Sequence, residues 1–218
     1  DGGDSIFAGY AGNLYQISAT GVTNRVVATL NGTPYGYVGV GIDSATNVFG
    51  INVVQLWKYD PQGVLTLFAG DPNGTVGFSD GPRLLARFSA AQDVALDVAS
   101  NIFVSDGARV RRIGSDGTVH TVAGNGVAGY KNGRGAVAQF RNATGLCVDT
   151  NQNIFVTDTD NHCIRKISPD TANIGIADDW QRLHFGAVGI DPNADPDHDG
   201  MSNYAEYIAG TDPRDRAS

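Results

Sequence analysis

The chain of 218 residues contains one glutamate, one methionine and three lysines, so it is poor in strong helix formers. An all-helical fold is therefore excluded. It has two cysteines, too few to imply a disulfide framework. No apolar run approaches the roughly 18 residues that a membrane-spanning helix needs. With 15 basic against 23 acidic residues, and a net charge of −8, it lacks the clustered Lys and Arg that neutralise phosphates, which argues against a nucleic-acid partner. No secretory leader stands at Asp1, which fits a processed secreted chain, a cytoplasmic one or a fragment. There is no Gly-x-Ser-x-Gly elbow, phosphate loop or dinucleotide fingerprint, so no motif supports nucleophilic or phosphate chemistry. What the chain does contain is 29 glycines and 41% apolar residues at only 17% charge. That composition predicts a folded, soluble, turn-rich all-β protein.

The charge is unevenly spread. Residues 178–218 hold nine of the 23 acids and three of the 15 bases, so −6 of the net −8 lies in 41 positions. Such asymmetry marks a separate module. A boundary near Ala177 divides the chain into 1–176 and 177–218.

Self-comparison shows a repeat. A shift of 54 carries Asp43, Asn47 and Phe49 onto Asp97, Asn101 and Phe103, then Leu56 to Tyr59 onto Val110 to Ile113, and Ala69-Gly70 onto Ala123-Gly124. A further copy follows with Asp149, Asn153-Ile-Phe155, Asp158 and Cys163 to Ile167. A partial copy lies 42 residues before the first of these, placing Ile6-Phe7 on Val48-Phe49 and Leu14 to Ile17 on Leu56 to Tyr59. Each copy reads as short strands rich in Val, Ile, Phe and Tyr. In one copy they are 94–97, 102–105, 110–113 and 119–122. The Asp-x-x-x-Asn between the first two strands is a tight-turn signal, because an Asx side chain bonds its own backbone. A four-stranded meander cannot bury both faces alone, so neighbouring copies must stack. The architecture this predicts is a β-propeller of about 3.5 to 4 four-stranded blades.

Gly145-Leu-Cys-Val-Asp149, Asn153-Ile-Phe-Val-Thr-Asp158, Asn161-His162 and Ile164-Arg-Lys-Ile167, after Gly129-Tyr-x-Asn-Gly133 and Ala138-x-Phe140, resemble an NHL repeat. Gly77-Phe-x-Asp-Gly81 and Ala86-x-Phe88 repeat the same signature one copy earlier. The resemblance covers about residues 4–170. It implies a propeller whose relatives serve mostly as binding platforms, with lyases and lactone hydrolases among them. Asp1 aligns with Asp43, so the first blade is expected to be truncated, and no clear fourth strand follows Ile167. A fragment, an open arc and a closed four-bladed ring all fit. Missing blades or self-association would complete the propeller.

In the acidic segment, Asp195, Asp197, Asp199, Met201, Asn203 and Glu206 occupy positions 1, 3, 5, 7, 9 and 12 of a twelve-residue loop with Gly200 at position 6. This is the spacing of the EF-hand Ca²⁺ loop: side-chain oxygens from the three aspartates, the Met201 carbonyl, Asn203 directly or through water, and a bidentate Glu206. The only glutamate of the chain falls on the bidentate position. Ser202 at position 8, where paired EF-hands carry an apolar residue, argues for an unpaired loop. The stretch resembles the single calcium loops of thrombospondin type 3 and dockerin-like modules of secreted bacterial proteins. Asp191, Asn193 and Asp212 are candidates for additional ligands or a second ion. Helices are expected over 177–185, with Trp180, Leu183 and His184 on one face, and over 202–209, with Tyr204, Tyr207 and Ile208 on one face. A module of about 40 residues needs an ion as a staple.

Four histidines, His120, His162, His184 and His198, recur at no equivalent position, which disfavours a shared zinc centre. His162 reads as a turn former. Asp43, Asp97 and Asp149 recur in every copy, as turn formers do and a catalytic group does not. Cys147 and Cys163 lie two strands apart, beyond disulfide reach, and are expected free and packed. Arg109, Arg111 and Arg112 read as a solvated basic strand face. The sequence points to a non-catalytic, extracellular or cell-surface binding scaffold with a calcium-stapled terminal module. A propeller face bearing Tyr35, Tyr37 and Tyr130 would take a protein or carbohydrate ligand. Two alternatives stay open: a hydrolase or lyase of the lactonase type, and a purely structural spacer.

Overall fold

The computed structural model describes residues 38–172 and 175–217, together with the backbone of three strands before them. The chain divides into two compact units, 1–166 and 167–218. The first is built from antiparallel sheets in chain order. Strands β1 (Ile6–Tyr10), β2 (Asn13–Ile17) and β3 (Thr23–Val27) form one sheet. β4 (Gly39–Ile42), β5 (Val48–Ile51), β6 (Leu56–Tyr59) and β7 (Leu65–Ala69) form a four-stranded meander. The third sheet runs β8-β12-β11-β10-β9, from β8 (Gly81–Pro82), β9 (Ala91–Leu96), β10 (Ile102–Asp106), β11 (Arg109–Ile113) and β12 (Thr118–Ala123). The fourth holds β13 (Ala143–Val148), β14 (Ile154–Asp158) and β15 (Cys163–Ile167).

The first strands of successive sheets, β4, β9 and β13, lie beside one another. Each of these three sheets is thus a blade that begins at a shared inner edge. β8 is an addition that the repeat did not reveal: two residues of the inter-blade loop pair with the outer strand β12, at Thr118↔Pro82 and Val119↔Gly81. Blade stacking buries Phe49, Ile51, Leu56, Phe88, Val94, Ile102, Val104 and Ile113 in one cluster. Gly39 and Gly41 show why β4 cannot carry side chains there: a Cβ would lie 2.5 Å from the Asp93 backbone and 2.4 Å from the Leu96 side chain. The Asp93 carboxylate then crosses to the following blade, accepting the Leu146 N–H at 2.9 Å, and its burial holds its pKa above the ordinary aspartate range.

The recurring aspartates act as turn formers. Asp43 Oδ1 accepts the N–H groups of Ala45 and Asn47, while Oδ2 accepts the Asn47 side chain at 2.7 Å. Asp97 and Asp149 repeat the pattern on Asn101 and Asn153. The residue before each Asn takes positive φ, between 59° and 66°. Hydrogen bonding from the Asn153 side chain holds Asp149 below its ordinary pKa.

Arg111 corrects the reading of a solvated basic strand face. Its side chain is fully buried, and its guanidinium donates to Asp106 Oδ2 (3.0 Å), Asp80 Oδ1 (2.6 Å), the Arg87 carbonyl (3.1 Å) and the Ser79 carbonyl (2.8 Å). The other oxygen of Asp106 accepts the N–H groups of Ser89 and Ala90. The next blade reproduces the arrangement. Arg165 donates to Asp158 Oδ2 (3.0 Å), Asn132 Oδ1 (2.6 Å) and the carbonyls of Gln139 and Lys131, and Asp158 accepts the Arg141 N–H. Phe88 and Phe140 lie under the two guanidinium groups at 5.4 and 5.1 Å. A fully desolvated arginine is tolerable only because its donors meet fixed acceptors.

Cys147 and Cys163 are free thiols, as expected, but Cys147 is exposed rather than packed. Tyr35 and Tyr37 lie outside the described residues. Tyr130 is exposed.

Two outcomes follow. Arg111→Met leaves the Asp106 carboxylate buried without its counter-ion and lowers stability by about 3–5 kcal/mol, read as a shift in the urea midpoint of the intact chain. Because the Asp149 pKa is depressed in the folded state, its contribution is full above about pH 4 and is lost as pH falls through the lowered folded value. Asp149→Asn therefore shallows the loss of melting temperature below pH 4.

Candidate metal centre

The second unit carries two short helices, α1 (Asp178–Phe185) and α2 (Asn203–Ala209). Their buried faces are polar, which corrects the apolar faces expected from helical spacing. Leu183, Tyr204 and Ile208 are exposed, whereas Asp178, Gln181, Asn203 and Glu206 are buried. Asp178 accepts the Thr171 N–H and hydroxyl at 2.8 and 2.7 Å. Gln181 spans the helix entry and the following loop, donating to the Ile176 carbonyl and accepting the Gly189 N–H, both at 2.7 Å. Apolar contact is concentrated on Trp180, whose ring meets His184 at 4.5 Å, Phe185 at 6.0 Å and Tyr207 of α2 at 5.6 Å. α1 and α2 therefore meet one residue away from Glu206.

Ser202, the apparent misfit of the loop, is the N-cap of α2: its hydroxyl accepts the Ala205 N–H. Gly210 closes the helix in a left-handed conformation, and the N–H groups of Gly210 and Thr211 both reach the Glu206 carbonyl. The helix start and stop thereby fix where the Glu206 side chain emerges.

The structure brings Asp195, Asp197 and Asp199 together, with one oxygen of each within 4.8 Å of the others. The loop's own N–H groups hold them. Asp195 accepts from His198 (2.9 Å) and Gly200 (3.0 Å), Asp197 from Asp199 (3.2 Å), and Asp199 from Met201 (2.7 Å). His198 adopts φ 63° and Gly200 φ 101°, giving the sharp turn that brings the three side chains to one side. Asn203 donates its amide to the Asp191 carbonyl at 2.8 Å, leaving Oδ1 for another partner.

The informative atoms are those that nothing satisfies. Asp197 Oδ2, Asn203 Oδ1, both carboxylate oxygens of Glu206 and the Thr211 hydroxyl are buried without a hydrogen-bond partner. All are oxygens able to accept, and three of the four residues stand at positions 3, 9 and 12 of the loop. Burial holds the Glu206 carboxyl above its ordinary pKa, and the charges of Asp197, Asp199, Asp195 and Asp212 push it in the same direction. A buried carboxylate facing three others with no donor near it is unfavourable alone; a hard divalent cation supplies the missing charge and coordination to these oxygens. The donor set fits such an ion: Asp195, Asp197, Asp199, Asn203 and Glu206 could hold it through side chains and Met201 through its carbonyl. Of the additional candidates, Asp191 and Asn193 form their own turn, with Asn193 N–H on Asp191 Oδ1, and Asp212 approaches His184 at 3.2 Å.

His162 and His198 serve local geometry. His162 takes φ 54° and closes a 3-10 turn between β14 and β15, as a turn former should. His198 contacts the Asp195 carbonyl at 2.7 Å. What spacing alone missed was the burial of Glu206 and the Thr211 oxygen beyond the twelfth position.

A model of the NHL repeat matches residues 140–167, spanning β13 to β15. Solved structures similar to the chain include auxiliary nutrient binding proteins from Bacteroides thetaiotaomicron (19% identity, 75% of this chain, 45% of that chain, TM-score 0.63) and Bacteroides ovatus (21% identity, 73% and 46%, TM-score 0.59). The extracellular domain of a proposed one component system from B. thetaiotaomicron also matches (13% identity, 77% and 20%, TM-score 0.53). These likenesses show the fold alone, and the stacked antiparallel sheets are consistent with a partial β-propeller. The chain spans less than half the length of these structures. No curated protein sequence matches it. Among the described residues no helix is long and apolar enough to cross a membrane.

With divalent cations chelated, Glu206→Gln removes an unpartnered buried charge, so the second unit of this variant melts at a higher temperature than that of the unaltered chain. Differential scanning calorimetry in chelator measures it.

Proposed function

We propose that this chain is a non-catalytic extracellular binding scaffold, in which NHL blades present a ligand-binding face and the second unit is a calcium-stapled module. The observation that carries the reading is the buried carboxylate of Glu206, whose two oxygens lack any partner while three aspartates gather beside it. With two short helices and a mainly polar interior, the module has little apolar burial to offset chain entropy. An ion bound only by the folded form contributes stability that grows with its concentration, about 2.7 kcal/mol at a hundredfold excess over its dissociation constant. Calcium is plentiful outside cells, which is why the site also supports an extracellular location. The nutrient-binding proteins among the similar structures support a ligand-binding role for the blades, with exposed Tyr130 on an inter-blade loop as a contact residue.

Calorimetric titration of the intact chain tests this. Saturable calcium binding is expected, with a rise in melting temperature, and Glu206→Gln is expected to abolish both. Absence of heat and of a thermal shift at millimolar calcium would reduce residues 191–206 to an acidic loop.

A further inference from the structure

The blades of β4–β7 and β8–β12 share one construction at their outer edge. The fourth strand ends in Ala-Gly, and that alanine stands opposite the first aliphatic residue of the third strand: Ala69 opposite Leu56 and Ala123 opposite Val110. Both pairings shift register immediately after that pair. Ala69, Ala123, Leu56 and Val110 are all buried. The next residue, Gly70 or Gly124, sits directly on the preceding turn: a Cβ would lie 2.5 Å from the Val54 carbonyl oxygen or 2.3 Å from that of Ala108.

The blade of β13–β15 has the same third strand without this partner. Ile164 corresponds to Leu56 and Val110, Arg165 to Arg111, and Ile167 to Ile113. β15 ends its sheet, and no described strand pairs with its outer edge. Leu56 and Val110 are each 0% exposed, whereas Ile164 is 70% exposed. The receiving turn is formed nonetheless, because His162 N–H bonds the Thr159 carbonyl and the Asn161 side chain reaches Asp158 and the Gly129 carbonyl.

We infer that the outer edge of β15 is a strand-addition site for an extended segment of a second polypeptide, with the pattern aliphatic-x-x-apolar-Ala-Gly shared by residues 65–70 and 119–124. The chain's own fourth strands define that occupant. Main-chain hydrogen bonds would supply affinity, the alanine would cover Ile164, and the glycine would close on the turn at His162 and Cys163. An aliphatic residue left open on an unpaired edge is otherwise an association hazard that proteins blunt with charge or proline. β15 carries Lys166 but no proline.

The probe is a fluorescent peptide of residues 118–124, Thr-Val-His-Thr-Val-Ala-Gly, titrated with the intact chain in calcium-containing buffer and followed by anisotropy. Saturable binding is expected, weakened at least tenfold by Ile164→Asp in the protein. With the protein unaltered, a peptide carrying Asp for its alanine and Val for its glycine is expected to lose binding equally. The inference is overturned if the peptide fails to saturate at millimolar concentration or the altered peptide binds as well. It is also overturned if sedimentation shows a dimer that Ile164→Asp dissociates, since the edge would then belong to a second copy.

Discussion

The stacking of one blade on the next depends on a charged group largely withdrawn from water. Arg111 and Arg165 each leave the third strand of a blade, neutralise an aspartate at the end of the second strand, and direct their remaining donors to carbonyls and a side-chain oxygen of the loop arriving from the preceding blade. The aspartate in turn fixes the N–H groups that begin the first strand. One residue pair therefore sets the position of an irregular loop, the entry of the inner strand and the place of the rings over which the guanidinium lies. Few of the loop's apolar residues are buried, and Phe88 or Phe140 is held in the core because the carbonyl of the residue before it is held by the guanidinium.

The blade of β4–β7 is built differently at the same place. Asn52 and Trp57 stand where the Asp and Arg would be. Asn52 Oδ1 caps the turn by accepting the N–H groups of Val54 and Gln55, so the turn survives without an ion pair. Its amide nitrogen and the Trp57 indole N–H are buried donors without partners. Neutral donors can remain in that state at modest cost, whereas a lone buried aspartate or arginine could not, so the pair is exchanged as a unit.

The second unit follows another principle. Its helices turn polar side chains inward, and its apolar contact is reduced to rings around Trp180. Oxygens collect around Glu206 with no donor among them. The blades satisfy their buried charge internally; the small module leaves its own to be satisfied by something that the chain does not encode.

Much of this was legible in the residues. Strand order, the Asp-x-x-x-Asn turns and the ligand spacing of residues 195–206 are local, because each depends on groups within a few positions of one another. The burial of Arg111 was not legible, since its acceptors at 79–87 are distant in sequence and only blade stacking removes the water. The helix faces depart from periodicity for the same reason: Leu183 and Ile208 obey helical spacing, yet the surface that becomes covered is chosen by Trp180, Tyr207 and the oxygens around Glu206. Spacing determined which residues could act together, through short-range sterics and hydrogen bonding. Tertiary structure alone decided which of them lose solvent, and desolvation is what turns an acidic loop into a candidate metal centre and a strand edge into a candidate docking site.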